Sequence, residues 1–285
     1  MAGGTLPELP PVIPEARLIR HRDDDWSPVV ADLATQGTVL IHARLPHWRP
    51  PEPEGPELRR LLGRDWSKYL DIAHEQLRDR FAATRLLLKY AAGKSLGAGD
   101  PADVELSYGP TGRPYLRGCD QVDVSLSHTD DLLLVGLTTR GLIGVDAERA
   151  DRQLYAKGMG RHVCTQDEMR LLAEEVGRGR DANQALLRLW TLKEAYSKAI
   201  AQGMAFRFTE FGFGPDDRPV QVNRPDGTPG TGQEWGFRTF GLDEYVVSAA
   251  VYDAGFGRLR HTDFDNMLDE EAVAAIAEEL ARQRS

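Results

Sequence analysis

Strand-like and helix-like patterns alternate from one end of this chain to the other, and that interleaving restricts it to a mixed fold of helices and sheets. Residues 38–43 (TVLIHA) predict a short strand. Residues 122–127 and 132–138 predict two more around the polar turn SHTDD, and 142–148 (LIGVDAE) resumes the pattern after Arg140-Gly141. From about Leu58 to Ala92 helical character dominates, with Leu77, Phe81 and Leu88 set among Arg78, Arg80, Arg85 and Lys89, and Gly93 standing where a helix would end. Thr165 and Glu168 have the spacing of a capping box, opening a helix to about Val176. A second helix is expected from Asn183 to Ala201, closed by Gly203. Residues 206–213, 219–223, 234–241 and 245–252 read as strands, and 267–283 as a terminal helix. The expectation is an α+β protein with a Pro-rich, poorly ordered arm over 1–37, an N-terminal lobe over 38–140 and a C-terminal lobe over 141–285.

Several functional classes are disfavoured at once. No apolar run approaches the roughly 20 residues of a membrane helix, and the first residues, MAGGTLPELPPVIPE, lack the basic and apolar blocks of a secretory signal, so a cytoplasmic location is expected. Cys119 and Cys164 have no CxxC partners, which argues against a disulfide framework or a zinc site. The net charge of −9 argues against a general nucleic-acid binder, while leaving room for a local basic pocket that takes a small polyanion.

Four segments carry possible chemistry, and each has a plainer reading. In Gly144-Val-Asp146-Ala-Glu148 the period of two puts Asp146 and Glu148 on one face and Ile143, Val145 and Ala147 on the other. Adjacent carboxylates repel, and a divalent cation with a taste for hard oxygen ligands relieves the repulsion; the alternative is two solvated acids on an edge strand. In WTLKEAYSKA, Trp190, Glu194 and Lys198 fall at i, i+4 and i+8 of a helix, with Lys193 beside them. That is either a third carboxylate with a phosphate-seeking cation, or an ordinary surface pair beside a core tryptophan. Ser127 and His128 end a strand and suit either a phosphate or a turn. Arg113, in the loop GRPYL, presents a guanidinium suited to phosphate, or is a solvated turn residue.

Taken in order, GRPYL (112–116), SLSH (125–128), GVDAE (144–148) and WTLKEAYSKA (190–199) resemble the 4′-phosphopantetheinyl transferases of the surfactin-synthetase-activating class, over about residues 58–252. Ala147 departs from the family's usual Ile or Val. The resemblance implies two similar α/β lobes related by a pseudo-two-fold axis, within a monomer, with coenzyme A between them. It implies transfer of 4′-phosphopantetheine from coenzyme A to a serine of an apo acyl or peptidyl carrier protein, with release of 3′,5′-ADP. By the same resemblance Asp146, Glu148 and Glu194 would coordinate Mg²⁺, and Glu194 would act as base. Arg80, Arg85, Arg113, Ser127, His128, Lys193 and Lys198 would bind coenzyme A, with Lys68 a further candidate for its 3′-phosphate. The loop RGRD (178–181) and Arg188 are candidates for docking an acidic carrier. Two rival readings use the same residues: a metal-dependent hydrolase of nucleotide pyrophosphates, and a non-catalytic carrier-binding module.

Overall fold

The computed structural model describes residues 10–214 and 232–255. In chain order the elements are β1 (Arg17–Leu18), α1 (Ser27–Gln36), β2 (Thr38–Arg44), α2 (Leu45–Trp48), α3 (Pro56–Leu62), α4 (Trp66–Asp71), α5 (Glu75–Leu96), β3 (Leu106–Tyr108), β4 (Pro114–Leu116), β5 (Asp123–Thr129), β6 (Leu132–Thr138), β7 (Gly141–Arg149), α6 (Gly160–Val163), α7 (Gln166–Gly177), α8 (Ala182–Ala199), β8 (Trp235–Leu242) and β9 (Tyr245–Asp253). The fold is α+β, built on two larger sheets of order β1-β2-β6-β5 and β7-β9-β8, with a small β3-β4 ribbon.

Alternation along the strands explains the layering. Val39, Ile41, Leu133, Val135 and Leu137 face α5, where they meet Ala83, Leu87 and Ala91. The intervening Leu40, Leu132 and Leu134 point the other way, onto Ile143, Val145, Val247, Ala249 and Val251 of the second sheet. The outer face of that sheet receives Leu192, Ala195, Tyr196 and Ala199 of α8. The order of layers is therefore helix, sheet, sheet, helix, because each sheet is apolar on both faces and needs two partners. Both halves set one long helix against a sheet, antiparallel throughout in the second and antiparallel but for β1 in the first.

Four expectations are corrected here. Residues 10–37 are not a loose arm: β1 pairs in parallel with β2, Trp26, Val29 and Leu33 are buried in the first core, and Ile13 enters the seam between the sheets. The cost of ordering this Pro-containing segment is offset by burying those side chains; residues 1–9 lie outside the described residues. The helical stretch 58–92 is three helices, interrupted at Gly63, which takes a φ of 55°. The last of them runs through Gly93, packed 3.5 Å from Val104 (measured from an ideal Cβ), and ends at Gly97 in the left-handed conformation. Residues 206–213 form no extended strand but hold a 3-10 turn at Phe208–Glu210, just after another at Gly203–Ala205, since Phe206, Phe211 and Phe213 are consumed in an aromatic cluster around Tyr196, with Phe211 stacked on Tyr196 at 4.3 Å. The expected elements at 219–223 and 267–283 lie outside the described residues.

Candidate functional site

The site forms where the edge strand of one sheet meets the edge strand of the other. β5 and β7 share no backbone ladder; side chains of β5 stitch the edges together. The Ile143 amide donates to Asp123 (2.7 Å), the Val145 amide to the Ser125 hydroxyl (3.0 Å), and the Ser127 hydroxyl to Asp146 (3.0 Å). The polar alternation Asp123, Ser125, Ser127 thus satisfies a strand edge that would otherwise bury unpaired amides.

Strand geometry sends Asp146 and Glu148 toward α8, as their spacing predicts, while Ile143, Val145 and Ala147 enter the seam between the sheets. From α8, Lys198 donates to Asp146 (2.7 Å), to the Val145 carbonyl (3.0 Å) and to Ser127 (3.2 Å). Glu194, one helical turn earlier, is half-buried. Burial first, then the charges of Asp146 and Glu148, raise its pKa, against the opposing pull of Lys198 and Arg152. Glu148 is raised by burial and by Asp146, with Arg152 pulling the other way. The three acids therefore share one electrostatic neighbourhood, although no three His, Cys, Asp or Glu side chains among the described residues close into a ligand cage. Asp146 is turned to Lys198, and Glu148 to Arg152. The donor set is all carboxylate oxygen and its members repel one another, which fits a hard divalent cation such as Mg²⁺.

Beside the acids opens a cleft of about 270 Å³, lined in part by Arg85, Tyr108, Arg113, Ser125, His128 and Lys198. Its electrostatics are the inverse of the molecule's. Crowding of the His128 ring against the cleft wall, then Arg85, Arg80 and Lys198 in that order, lower its pKa to about 4, although the residue as a whole is exposed. Arg85 leaves its Nε without a hydrogen-bond partner despite burial. Lys68 sits over the Tyr108 ring at 3.5 Å, and the Tyr108 hydroxyl donates to Asp65 (2.5 Å). A cluster of cations, with an Arg85 Nε that makes no hydrogen bond and approaches Asp65 only to 3.8 Å, is suited to a polyanion. Replacing Arg85 with Met should raise the His128 pKa from about 4 toward its ordinary 6.5, followed by NMR titration of the ring. An unmoved midpoint would show that the two charges do not share the cleft.

Two of the expected cations have other duties. Lys193 is fully buried and donates to Glu168 (2.6 Å), the Val163 carbonyl (2.7 Å) and the Phe208 carbonyl (2.8 Å). All three of its N–H groups are spent, so the expectation that it binds coenzyme A is corrected: helical rotation turns it away from Lys198 and into the second core. Its partner Glu168 also accepts from the amides of Thr165 and Phe213 (both 2.7 Å), and the expected capping box is present. Arg113 lines the cleft, but its terminal nitrogens bind Asp123 and the carbonyls of Ala199 and Ile143. It clamps the junction, and its phosphate-binding role is corrected to shaping the wall. The loop RGRD is less basic than it reads, because Arg178 pairs with Glu174 (3.1 Å) and Arg180 with Glu175. Arg188 donates to the Gly214 carbonyl (3.0 Å). Sequence reasoning missed Asp123, Ser125, Tyr108, Arg152 and Asn183. The Asp-x-Ser-x-Ser alternation of β5 was the available signal for the first two; Tyr108 at the end of β3, Arg152 in the turn after β7 and Asn183 in the first turn of α8 join the site only through contacts distant along the chain.

Comparison with known proteins adds a likeness to one family. Residues 142–250, which carry the three carboxylates and Lys198, match the model of the 4′-phosphopantetheinyl transferase superfamily. A phosphopantetheinyl transferase of Thraustochytrium sp. is 30% identical over 188 residues, covering 61% of this chain and 64% of that one. A Synechocystis sp. protein named for the same activity is 30% identical over 133 residues, 46% of this chain and 52% of its own. The 4′-phosphopantetheinyl transferase HetI of Nostoc sp. is 29% identical over 184 residues, 63% of this chain and 73% of its own. The chain thus spans between about half and three-quarters of the length of these relatives.

Proposed function

We propose that this chain transfers the 4′-phosphopantetheine group of coenzyme A to a serine of an apo acyl or peptidyl carrier protein, releasing 3′,5′-ADP. The observation that carries the reading is the junction itself: a cationic cleft and a group of three mutually coupled carboxylates meet at Lys198, which touches both. A nucleotide-linked pyrophosphate has the charge for the first, and its reacting end would lie beside the second. The stretch matched by the superfamily model, 142–250, contains the acid group and Lys198.

Each residue then has a task. Arg80, Arg85 and His128 hold the phosphates of the nucleotide end, where accumulated positive charge favours the bound polyanion. Lys198 faces the pyrophosphate and offsets negative charge as the bond to the leaving 3′,5′-ADP breaks. Ser127 hydrogen-bonds Asp146 and Lys198 and keeps that pair in register. Asp146, Glu148 and Glu194 would hold Mg²⁺, which supplies Lewis-acid stabilisation of the phosphoryl oxygens when bound. Glu194, its pKa raised by burial and by Asp146, takes the proton of the attacking serine hydroxyl. We further place the chain in the surfactin-synthetase-activating class, as a monomer of two lobes related by a pseudo-two-fold axis and meeting near residue 141, working in the cytoplasm. No helix of the described residues is long and apolar enough to cross a membrane.

The test is direct. Coenzyme A, Mg²⁺ and an apo carrier are incubated with the protein, and the intact mass of the carrier is measured. A gain of one phosphopantetheine group supports the reading. Cleavage of coenzyme A with an unchanged carrier mass would establish the pyrophosphate hydrolase instead.

A further inference from the structure

Lys198 answers the charge of Asp146, and the proposed mechanism gives it work. A second cation stands on the other side of the acid group and has none so far. Arg152 follows β7 in a turn, its amide bonded to the Arg149 carbonyl (3.1 Å). Its guanidinium binds Glu148 and lies 5.6 Å from the centre of the Trp190 ring. Its charge also reaches Glu194. The backbone is fixed as firmly as the head group. Asn183, in the first turn of α8, donates to the Arg152 carbonyl (2.9 Å) and accepts from the amides of Leu154 (2.8 Å) and Tyr155 (3.0 Å). Both the segment and its side chain are thus referenced to α8, the helix that carries Glu194.

We propose that Arg152 is a resident counter-ion of the acid group, occupying Glu148 until a divalent cation displaces it and leaves it held over the face of Trp190 alone. The inference rests on the reading of Asp146, Glu148 and Glu194 as cation ligands. Three observations carry it. Arg152 holds one of the three acids and acts electrostatically on a second. The guanidinium already stands over the Trp190 ring, 5.6 Å from its centre, so a cation–π contact remains to hold it when Glu148 is taken from it. The pinned backbone limits how far the side chain can leave. Displacement exchanges one ion pair for another, with no proton transferred. The consequence is a threshold: a monovalent ion gains too little at Glu148 to compete with the guanidinium, whereas a divalent ion pulls on all three carboxylates. Arg152 is a positioning residue here and sets how tightly the cation binds.

Mn²⁺ is a suitable probe, titrated into the full-length protein without coenzyme A and followed by the loss of free-ion EPR signal. Arg152→Gln should bind Mn²⁺ about tenfold more tightly than wild type, since a unit positive charge within several ångströms of the ion has gone. Arg152→Lys keeps the charge and should restore near wild-type affinity. Unchanged or weaker binding by Arg152→Gln overturns the proposal. Glu194→Gln separates the two readings: if it binds Mn²⁺ less well than wild type while Arg152→Gln is unchanged, the cation site stands and the counter-ion falls. If Glu194→Gln binds as wild type does, or if no protein binds, both fall.

Discussion

Glu194→Gln should slow transfer to the carrier by about 10²–10⁴-fold, the usual worth of a positioned general base, while leaving the fold intact. The amide keeps the shape of the side chain and removes both its negative charge and its capacity to take a proton. Stability gives an independent check on the interpretation. Burial and the neighbouring acids raise the Glu194 pKa above its ordinary value, so the folded protein holds its proton to higher pH than the unfolded chain does. Stability from this group is therefore lost as pH rises through that range, and at neutral pH the ionised carboxylate opposes folding. A neutral Gln should leave the melting temperature in EDTA at neutral pH equal to wild type or higher. Among the described residues no hydrogen bond acts on the Glu194 carboxylate for the substitution to break. Transfer at near wild-type rate would remove Glu194 as the base. Loss of activity together with a large drop in melting temperature would show that its role is structural.

Gly144→Ala is expected to destabilise the protein by about 3 kcal/mol or more, at the upper end of what overpacking a core costs. A Cβ at position 144 would lie 1.8 Å from the carbonyl oxygen of Ala195 and 2.6 Å from the amide nitrogen of Ala199. Both obstacles are backbone, so no rotamer change relieves them, and α8 would have to move away from β7. That movement would carry Glu194 and Lys198 from Asp146, so any folded fraction should also transfer slowly. Chemical denaturation gives the stability, and a loss below about 1 kcal/mol would mean that α8 rides more loosely on the strand than the structure shows. The glycine that opens GVDAE is thus a packing requirement: it brings the helix close enough for its side chains to meet those of the strand.

These two residues show how far local pattern reaches. The common face of Asp146 and Glu148 was legible because strand side chains alternate, whatever the strand packs against. The stripe of Trp190, Glu194 and Lys198 was legible for the matching reason in a helix. The Thr165 and Glu168 capping box depends only on neighbours three residues apart, and it is present as expected.

What failed to show in the sequence was always a matter of partners far away along the chain. Lys193 and Lys198 look alike in WTLKEAYSKA, yet one is sealed against Glu168 and the other opens on the cleft. Residues 10–37 read as a loose arm until β2 and the seam between the sheets supply surfaces that bury Ile13, Trp26 and Val29. Arg113 looks like a free guanidinium until Asp123, Ile143 and Ala199 close around it. Periodicity sets which side chains share a face, because backbone geometry is local. Whether that face meets solvent, a core or an opposing charge is decided only when the two sheets and their helices close on one another, because burial and Coulomb energy depend on everything within a few ångströms in space.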